Sequence, residues 1–169
     1  MTEELSPVVR LSELPLESWT QGTFYGSDDA GYLGDRAGLK SLGFGYSEVA
    51  PGKSSCPFHN HHVEDEMFVV LEGEGTYRFG DARHAFKAGD VLVAPAGGRD
   101  TAHQIINTGA VTLKYLAISN KSTTEVTEYP DSGKFAVSSR AGGTEPSMRH
   151  MGRPGQHHIE NYWDGEPGA

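Results

Sequence analysis

Short apolar runs bounded by glycine, proline or aspartate recur through the middle of the chain, and runs of this kind predict β-strands. No stretch shows the three- and four-residue spacing of apolar positions that a long amphipathic helix requires. The predicted strands cover residues 42–49, 67–71, 76–79, 83–87, 91–94, 103–107 and 111–119. The pattern therefore predicts an all-β domain whose strands are joined by tight turns.

The pattern is weaker on both sides of this region. Residues 1–41 mix polar and apolar positions, and we expect a short helical turn within residues 12–19. Two further strands, 125–129 and 134–138, are predicted around a turn rich in proline and glycine. Beyond Arg140 the chain changes to glycine, proline, histidine and charged residues, a composition typical of irregular chain.

Charge and composition limit the classes of partner. The 169 residues predict one domain, and the net charge of −9 would set nucleic-acid phosphates against like charge. No apolar stretch approaches the length of a membrane span. The single cysteine, Cys56, cannot form an internal disulfide, and the N-terminal segment lacks the apolar core of a signal peptide. We therefore expect a cytoplasmic protein that binds neither nucleic acid nor a membrane.

Four residues in the predicted β-region have the chemistry of metal ligands. His59 and His61 are two positions apart, a spacing that places both side chains on one face of a strand. Glu66 directly precedes the strand at 67–71, and His103 begins another. Three imidazoles and one carboxylate that converge inside a β-structure would form a site for a first-row transition metal.

The numbering of these residues predicts a break in the chain. His59 and His61 are odd-numbered whereas Glu66 is even-numbered, so one regular strand cannot direct all three inward. We therefore expect a bend or bulge within residues 62–65. Beyond that break, Glu66 shares a face with Phe68 and Val70, and on the other strand His103 shares a face with Ile105 and Asn107.

The two segments resemble the two motifs of the cupin superfamily. The first motif, with its spacing of four and six residues, is matched by His59, His61, Glu66 and Gly73. The second is matched by Gly89, Pro95, Gly97, His103 and Asn107. Five residues rather than two separate Gly97 from His103, and this lengthens a loop at the barrel mouth.

This resemblance implies a double-stranded β-helix, an antiparallel barrel related to the jelly roll. It implies a barrel at 42–119, an N-terminal extension at 1–41 that packs on it, and a C-terminal extension at 120–169 that is partly strand with an irregular tail. It also implies one divalent transition-metal ion (Zn, Fe, Mn or Ni) on the two-histidine motif, Glu66 and His103. No other cofactor is expected.

Alternatives remain open at three positions. Glu64 is a rival to Glu66, although the spacing to Gly73 favours Glu66. Cys56 is either a thiolate ligand or a small inert thiol. Arg99, in the lengthened loop, would bind an anionic substrate, unless it forms a surface salt bridge with Asp100. The remaining five histidines are interpreted as structural or solvated: His62, His84, His150, His157 and His158.

Closer resemblance is to small bacterial single-domain cupins, some of which are labelled sugar-phosphate isomerases. It rests on Glu64-Asp65-Glu66, the turn from Tyr129 to Ser132 and the terminal pair Tyr162-Trp163. We expect a homodimer in which this aromatic pair packs on a barrel, its own or its partner's.

The expected function is that of a metal-dependent enzyme that isomerises or decarboxylates a small polar metabolite, anionic or sugar-like. One alternative is an Fe(II)-dependent dioxygenase, and another is a module that binds a small ligand or metal without turnover. The sequence assigns no catalytic residue.

Overall fold

A computed structural model describes residues 6–140 and 148–155. Within these residues, thirteen strands account for most of the regular structure. They are β1 Glu17–Gln21, β2 Tyr25–Ala30, β3 Leu42–Val49, β4 Asn60–His61, β5 Glu66–Glu72, β6 Glu74–Phe79, β7 Ala82–Lys87, β8 Val91–Ala94, β9 His103–Ile106, β10 Leu113–Asn120, β11 Thr124–Tyr129, β12 Lys134–Ser139 and β13 Met148–Gly152. The helical segments are α1 Leu33–Arg36 and the 3-10 turns Leu11–Glu13 and Arg99–Thr101. None of the helices in the described residues is long and apolar enough to cross a membrane.

The strands form three antiparallel sheets. The largest has the order β1-β2-β3-β10-β5-β8, and the others have the orders β13-β12-β11-β4 and β7-β6-β9. The all-β prediction is therefore confirmed, and each of the nine predicted strands lies within two residues of an observed one. Their positions followed from alternating apolar residues between turn residues, a signal that depends on local sequence alone.

Two expectations about the flanking segments are met only in part. Within residues 12–19 only a 3-10 turn at Leu11–Glu13 forms, and Glu17–Gln21 becomes the edge strand β1. Pro15 has no backbone N–H to continue a helix, which explains why the helical turn ends there. Beyond Arg140 the chain is not wholly irregular, because β13 pairs along its whole length with β12. The tail that contains Tyr162, Trp163, His157 and His158 lies outside the described residues.

The core lies between the sheets. Buried apolar side chains alternate along the strands as the period of two requires, so that Phe68 and Val70 point inward while Met67 and Leu71 are exposed. The main cluster consists of Val49, Phe68, Val70, Tyr77, Phe86, Leu92, Ala94, Ile105, Leu113 and Tyr115. A second cluster beside it contains Ala30, Leu33 and Tyr46, with Leu11, Leu14 and Leu16 packed against it.

Asn107 fixes the chain after β9. Its side chain is fully buried, and Nδ2 donates to the carbonyls of Val49, at 2.7 Å, and Val111, at 2.9 Å. Its Oδ1 accepts the N–H of Gly109 at 3.0 Å. The asparagine of the second motif therefore joins three backbone segments, and its role is structural.

Gly75 provides a test of the packing between β6 and its neighbours. A Cβ atom at Gly75 would meet the carbonyl oxygen of Ile106 and lie 2.7 Å from Cζ of Phe86, whereas one at Gly31 would meet nothing within 4 Å. We expect Gly75→Ala to lower the free energy of unfolding by about 1–3 kcal/mol, the usual cost of overpacking. Gly31→Ala should change it little. Urea denaturation of both variants tests this, and equal stabilities would contradict the close packing at Gly75.

Candidate metal centre

Three imidazole rings converge on one carboxylate oxygen. Oε2 of Glu66 lies 3.0 Å from Nε2 of His103, 3.3 Å from Nε2 of His61 and 3.7 Å from Nε2 of His59. All four side chains are largely buried, with exposures between 2% and 19%. The structure thus brings together all four residues that the sequence singled out.

Backbone pairing between the two motif segments produces this convergence. The N–H of His103 donates to the carbonyl of His59 at 2.7 Å, and the N–H of His59 donates to the carbonyl of His103 at 3.1 Å. His61 follows in β4, which pairs with β11. Residues 62–65 then leave the strand conformation before Glu66 begins β5. The break predicted from the numbering is confirmed.

In His59 and His103 the other ring nitrogen faces a backbone carbonyl. Nδ1 of His59 lies 2.8 Å from the carbonyl of Pro57, and Nδ1 of His103 lies 3.4 Å from the carbonyl of Thr101. A carbonyl only accepts, so Nδ1 of these two rings carries a proton. Nε2 then presents a lone pair when the ring is neutral and donates to Glu66 when the ring is protonated.

Lone pairs directed at a carboxylate oxygen repel it unless a proton or a cation lies between them. Imidazole nitrogen with one carboxylate is a donor set that suits Zn, Fe, Mn or Ni. The side chains therefore fit a divalent first-row metal ion.

Burial and mutual contact shift the protonation of the centre. Burial would raise the pKa of Glu66, but hydrogen bonds from His103, His59 and His61 outweigh it and hold that pKa well below its usual value. Burial opposes protonation of His59 too, yet the neighbouring Cys56 and Glu66 raise its pKa well above the usual value. For His103, burial prevails and lowers the pKa. A positive charge beside the Glu66 carboxylate is thus favoured.

Two cavities formed by described residues meet at this centre. One, of about 310 Å³, exposes His59, Glu66 and His103 together with the apolar surface of Phe68 and Ile105. The other, of about 380 Å³, is lined by residues within 32–45, by β10 and by the segment after it, and it also reaches Glu66. The centre is therefore accessible to a small ligand.

Asp29 was missed by the sequence interpretation and lines the cavity that exposes the histidines. One carboxylate oxygen, Oδ2, accepts hydrogen bonds from Trp19 and Ser27 at 2.6 and 2.7 Å. The other, Oδ1, is buried and has no hydrogen-bond partner among the described residues. Asp29 reaches the cavity because β2 pairs with β3. This is a long-range contact, so no local motif could predict it.

The structure shows where the two alternative ligands, Glu64 and Cys56, lie. A carboxylate oxygen of Glu64 lies within 4.8 Å of a ring nitrogen of His61, and Oε1 of Glu64 accepts from the N–H and hydroxyl of Ser122 and from Arg140. Cys56 is half-buried and lines the smaller cavity beside His59.

Arg99 is exposed in the lengthened loop. Among the described residues it lines neither cavity and forms no ion pair with Asp100.

Comparisons with known proteins agree with the geometry. The Cupin domain family model matches residues 45–119. An oxalate-binding protein from Thermotoga maritima is 36% identical over 75 residues, which cover 44% of this chain and 59% of that protein. The chain spans less than two thirds of the length of this and of two further curated relatives.

Two solved structures share the fold. A sugar phosphate isomerase of the cupin superfamily from Silicibacter pomeroyi superposes with a TM-score of 0.66 at 25% identity, covering 79% of each chain. A predicted oxalate decarboxylase from Thermotoga maritima superposes with a TM-score of 0.58 at 30% identity, covering 68% of this chain and 99% of that one. The fold is the cupin double-stranded β-helix, and this chain belongs to the cupin superfamily.

Proposed function

We propose that the protein is a metal-dependent enzyme that binds one divalent transition-metal ion on His59, His61, Glu66 and His103 and acts on a small polar metabolite. The observation that carries this proposal is the approach of three Nε2 atoms to one buried carboxylate oxygen of a residue that lines two cavities. A buried polar group of this kind is costly without a cation to compensate it.

Isomerisation or decarboxylation is the proposed reaction type. A bound metal ion would supply Lewis-acid polarisation of a carbonyl or carboxylate. The chain itself supplies an apolar wall from Phe68 and Ile105, and Asp29 lines the same cavity. Oδ1 of Asp29 is shielded from solvent and unpaired among the described residues, so it would accept a substrate hydroxyl only after the side chain turns toward the cavity. The named activities of the similar structures, on a sugar phosphate and on oxalate, support an oxygen-rich ligand.

A second candidate is a binding module without turnover, favoured by the oxalate-binding relative. Incubation of metal-loaded protein with sugar phosphates and with oxalate, followed by NMR, separates the two. New product signals support the enzyme, whereas saturable binding with unchanged compound supports the module. The homodimer and the cytoplasmic location stay predictions.

The metal ligands can be tested by composition. We expect about one transition-metal ion per chain in protein purified without chelators, and its loss in His59→Ala and His103→Ala, because each removes a nitrogen donor. His84→Ala is the control, since His84 is exposed on β7. Elemental analysis measures the content, and full content in both ligand variants would refute the assignment.

Metal binding should strengthen as the pH rises. The raised pKa of His59 keeps this ring protonated above the usual range of histidine, and a metal ion must displace that proton. Apparent affinity is therefore low near pH 6 and increases until the pH passes the raised pKa. Calorimetry in buffers of different ionisation enthalpy should show proton release at pH 7. Affinity that is constant between pH 6 and pH 9 would contradict this.

Asp29 can be tested by comparing ligand classes. If its free oxygen accepts a substrate hydroxyl, Asp29→Asn should weaken binding of a hydroxyl-bearing sugar phosphate by about 10–100-fold, the range for a hydrogen bond to a charged group. Oxalate carries no hydroxyl, so its binding should be unchanged or tighter. Calorimetric titration of metal-loaded protein tests this, and equal effects on both ligands would exclude a hydroxyl contact.

The proposed role of Arg99 is tested in the same titrations. If the mouth loop binds the anionic group of the ligand, Arg99→Ala weakens binding without loss of metal, and Arg99→Lys restores it only in part because the two-pronged guanidinium is lost. Unchanged binding by Arg99→Ala would remove this residue from the site.

A further inference from the structure

The four residues 62–65 determine whether the carboxylate of Glu66 can reach the same point as the imidazoles of His59 and His61. They leave the strand conformation, and of their backbone N–H groups only that of His62 donates to a backbone carbonyl among the described residues, that of Val126 at 3.0 Å. Buried N–H groups must still find acceptors. The group that supplies most of them is the side chain of Glu125, which lies near the start of β11 and is only 4% exposed.

Glu125 accepts hydrogen bonds from three consecutive residues of this loop. Its Oε1 accepts the N–H of His62 at 2.9 Å and of Val63 at 3.2 Å, and its Oε2 accepts the N–H of Glu64 at 2.7 Å. Oε1 also accepts the N–H of Val126 at 2.8 Å. One carboxylate thus binds three of the four loop amides, in the manner of an anion held by successive backbone amides. The fourth, that of Asp65, donates to Oδ1 of Asn120 at 2.6 Å.

The same carboxylate faces a proposed ligand. Oε2 of Glu125 lies 3.9 Å from Nδ1 of His61, and the hydroxyl of Thr127 lies 3.5 Å from that nitrogen. The opposite nitrogen, Nε2, is the one directed at Glu66. Glu125 therefore contacts the far side of an imidazole whose near side belongs to the metal centre.

His61, Glu64 and Glu125 have ligand atoms close enough to suggest a second ion site. Both carboxylates, however, already accept hydrogen bonds. Glu125 is bonded to backbone amides, and Glu64 is bonded to Ser122 and Arg140. These bonds indicate that Glu125 is built to hold the chain.

We infer that Glu125 is a positioning residue for the metal centre. It holds the loop after His61 and the His61 ring so that the ring and Glu66 face the same point. This inference rests on the proposed metal function. Residues that orient metal ligands typically change metal affinity by 10–100-fold when they are removed.

The test uses Glu125→Gln with Glu128→Gln as its matched control. Glutamine nearly preserves the shape, but its NH₂ group cannot accept and would face a backbone N–H in the loop. Glu128 is also on β11 and close to the ligands, since it accepts from Asn60 at 3.2 Å and lies 3.3 Å from His62. Its carboxylate is half-exposed and, among the described residues, contacts only the side chains of Asn60 and His62.

Co²⁺ alone is the probe, because its visible absorption reports the arrangement of the ligands and its affinity can be measured by chelator competition. We expect Glu125→Gln to bind Co²⁺ about 10–100-fold more weakly, with a changed absorption spectrum. Glu128→Gln should resemble the wild type in both. Glu125→Asp, which keeps the charge but is too short to reach the whole loop, should lie between them.

Wild-type affinity and spectrum in Glu125→Gln would overturn the inference while leaving the metal site intact. Absence of Co²⁺ binding by the wild type would refute the proposed function and this inference with it. Circular dichroism establishes that each variant is folded. If neither Glu125 variant folds, the residue serves the fold as a whole, and the positioning role is overturned.

Discussion

The constraint on which this structure depends is the buried carboxylate of Glu66. A negative group in the interior of a β-structure requires compensation, and here three imidazole nitrogens lie within 3.7 Å of one of its oxygens. Meeting this requirement demands that the segments at His59 and His103, forty-four residues apart, be paired backbone to backbone. It also demands a break in the strand before Glu66. Without that break, even-numbered Glu66 would lie on the face opposite to odd-numbered His59 and His61.

Most of this arrangement could be predicted because its signals are local. The two-residue spacing of His59 and His61 and the alternation along β5 depend on neighbours in sequence, and so does the parity that requires a break before Glu66. These signals located the strands and the four clustered residues.

The features that the sequence did not predict depend on long-range contacts. Strand β13 forms because it pairs with the edge of β12. The residues near Met148 lack the apolar alternation that would predict a strand. Asp29 enters the cavity because β2 extends the large sheet beside β3. Glu125 contacts the loop after His61 across more than sixty residues. Pairing of this kind depends on the whole fold, so composition and spacing cannot reveal it.

The two cavities at Glu66 affect how a ligand and water reach the centre. Glu66 lines both cavities, so a ligand that fills the smaller cavity leaves the larger one in contact with the same residue. Solvent can then exchange with the buried charge while the ligand stays bound. A ligand need not enter through the cavity by which water leaves, because Glu66 lies where two cavities meet rather than at the closed end of one.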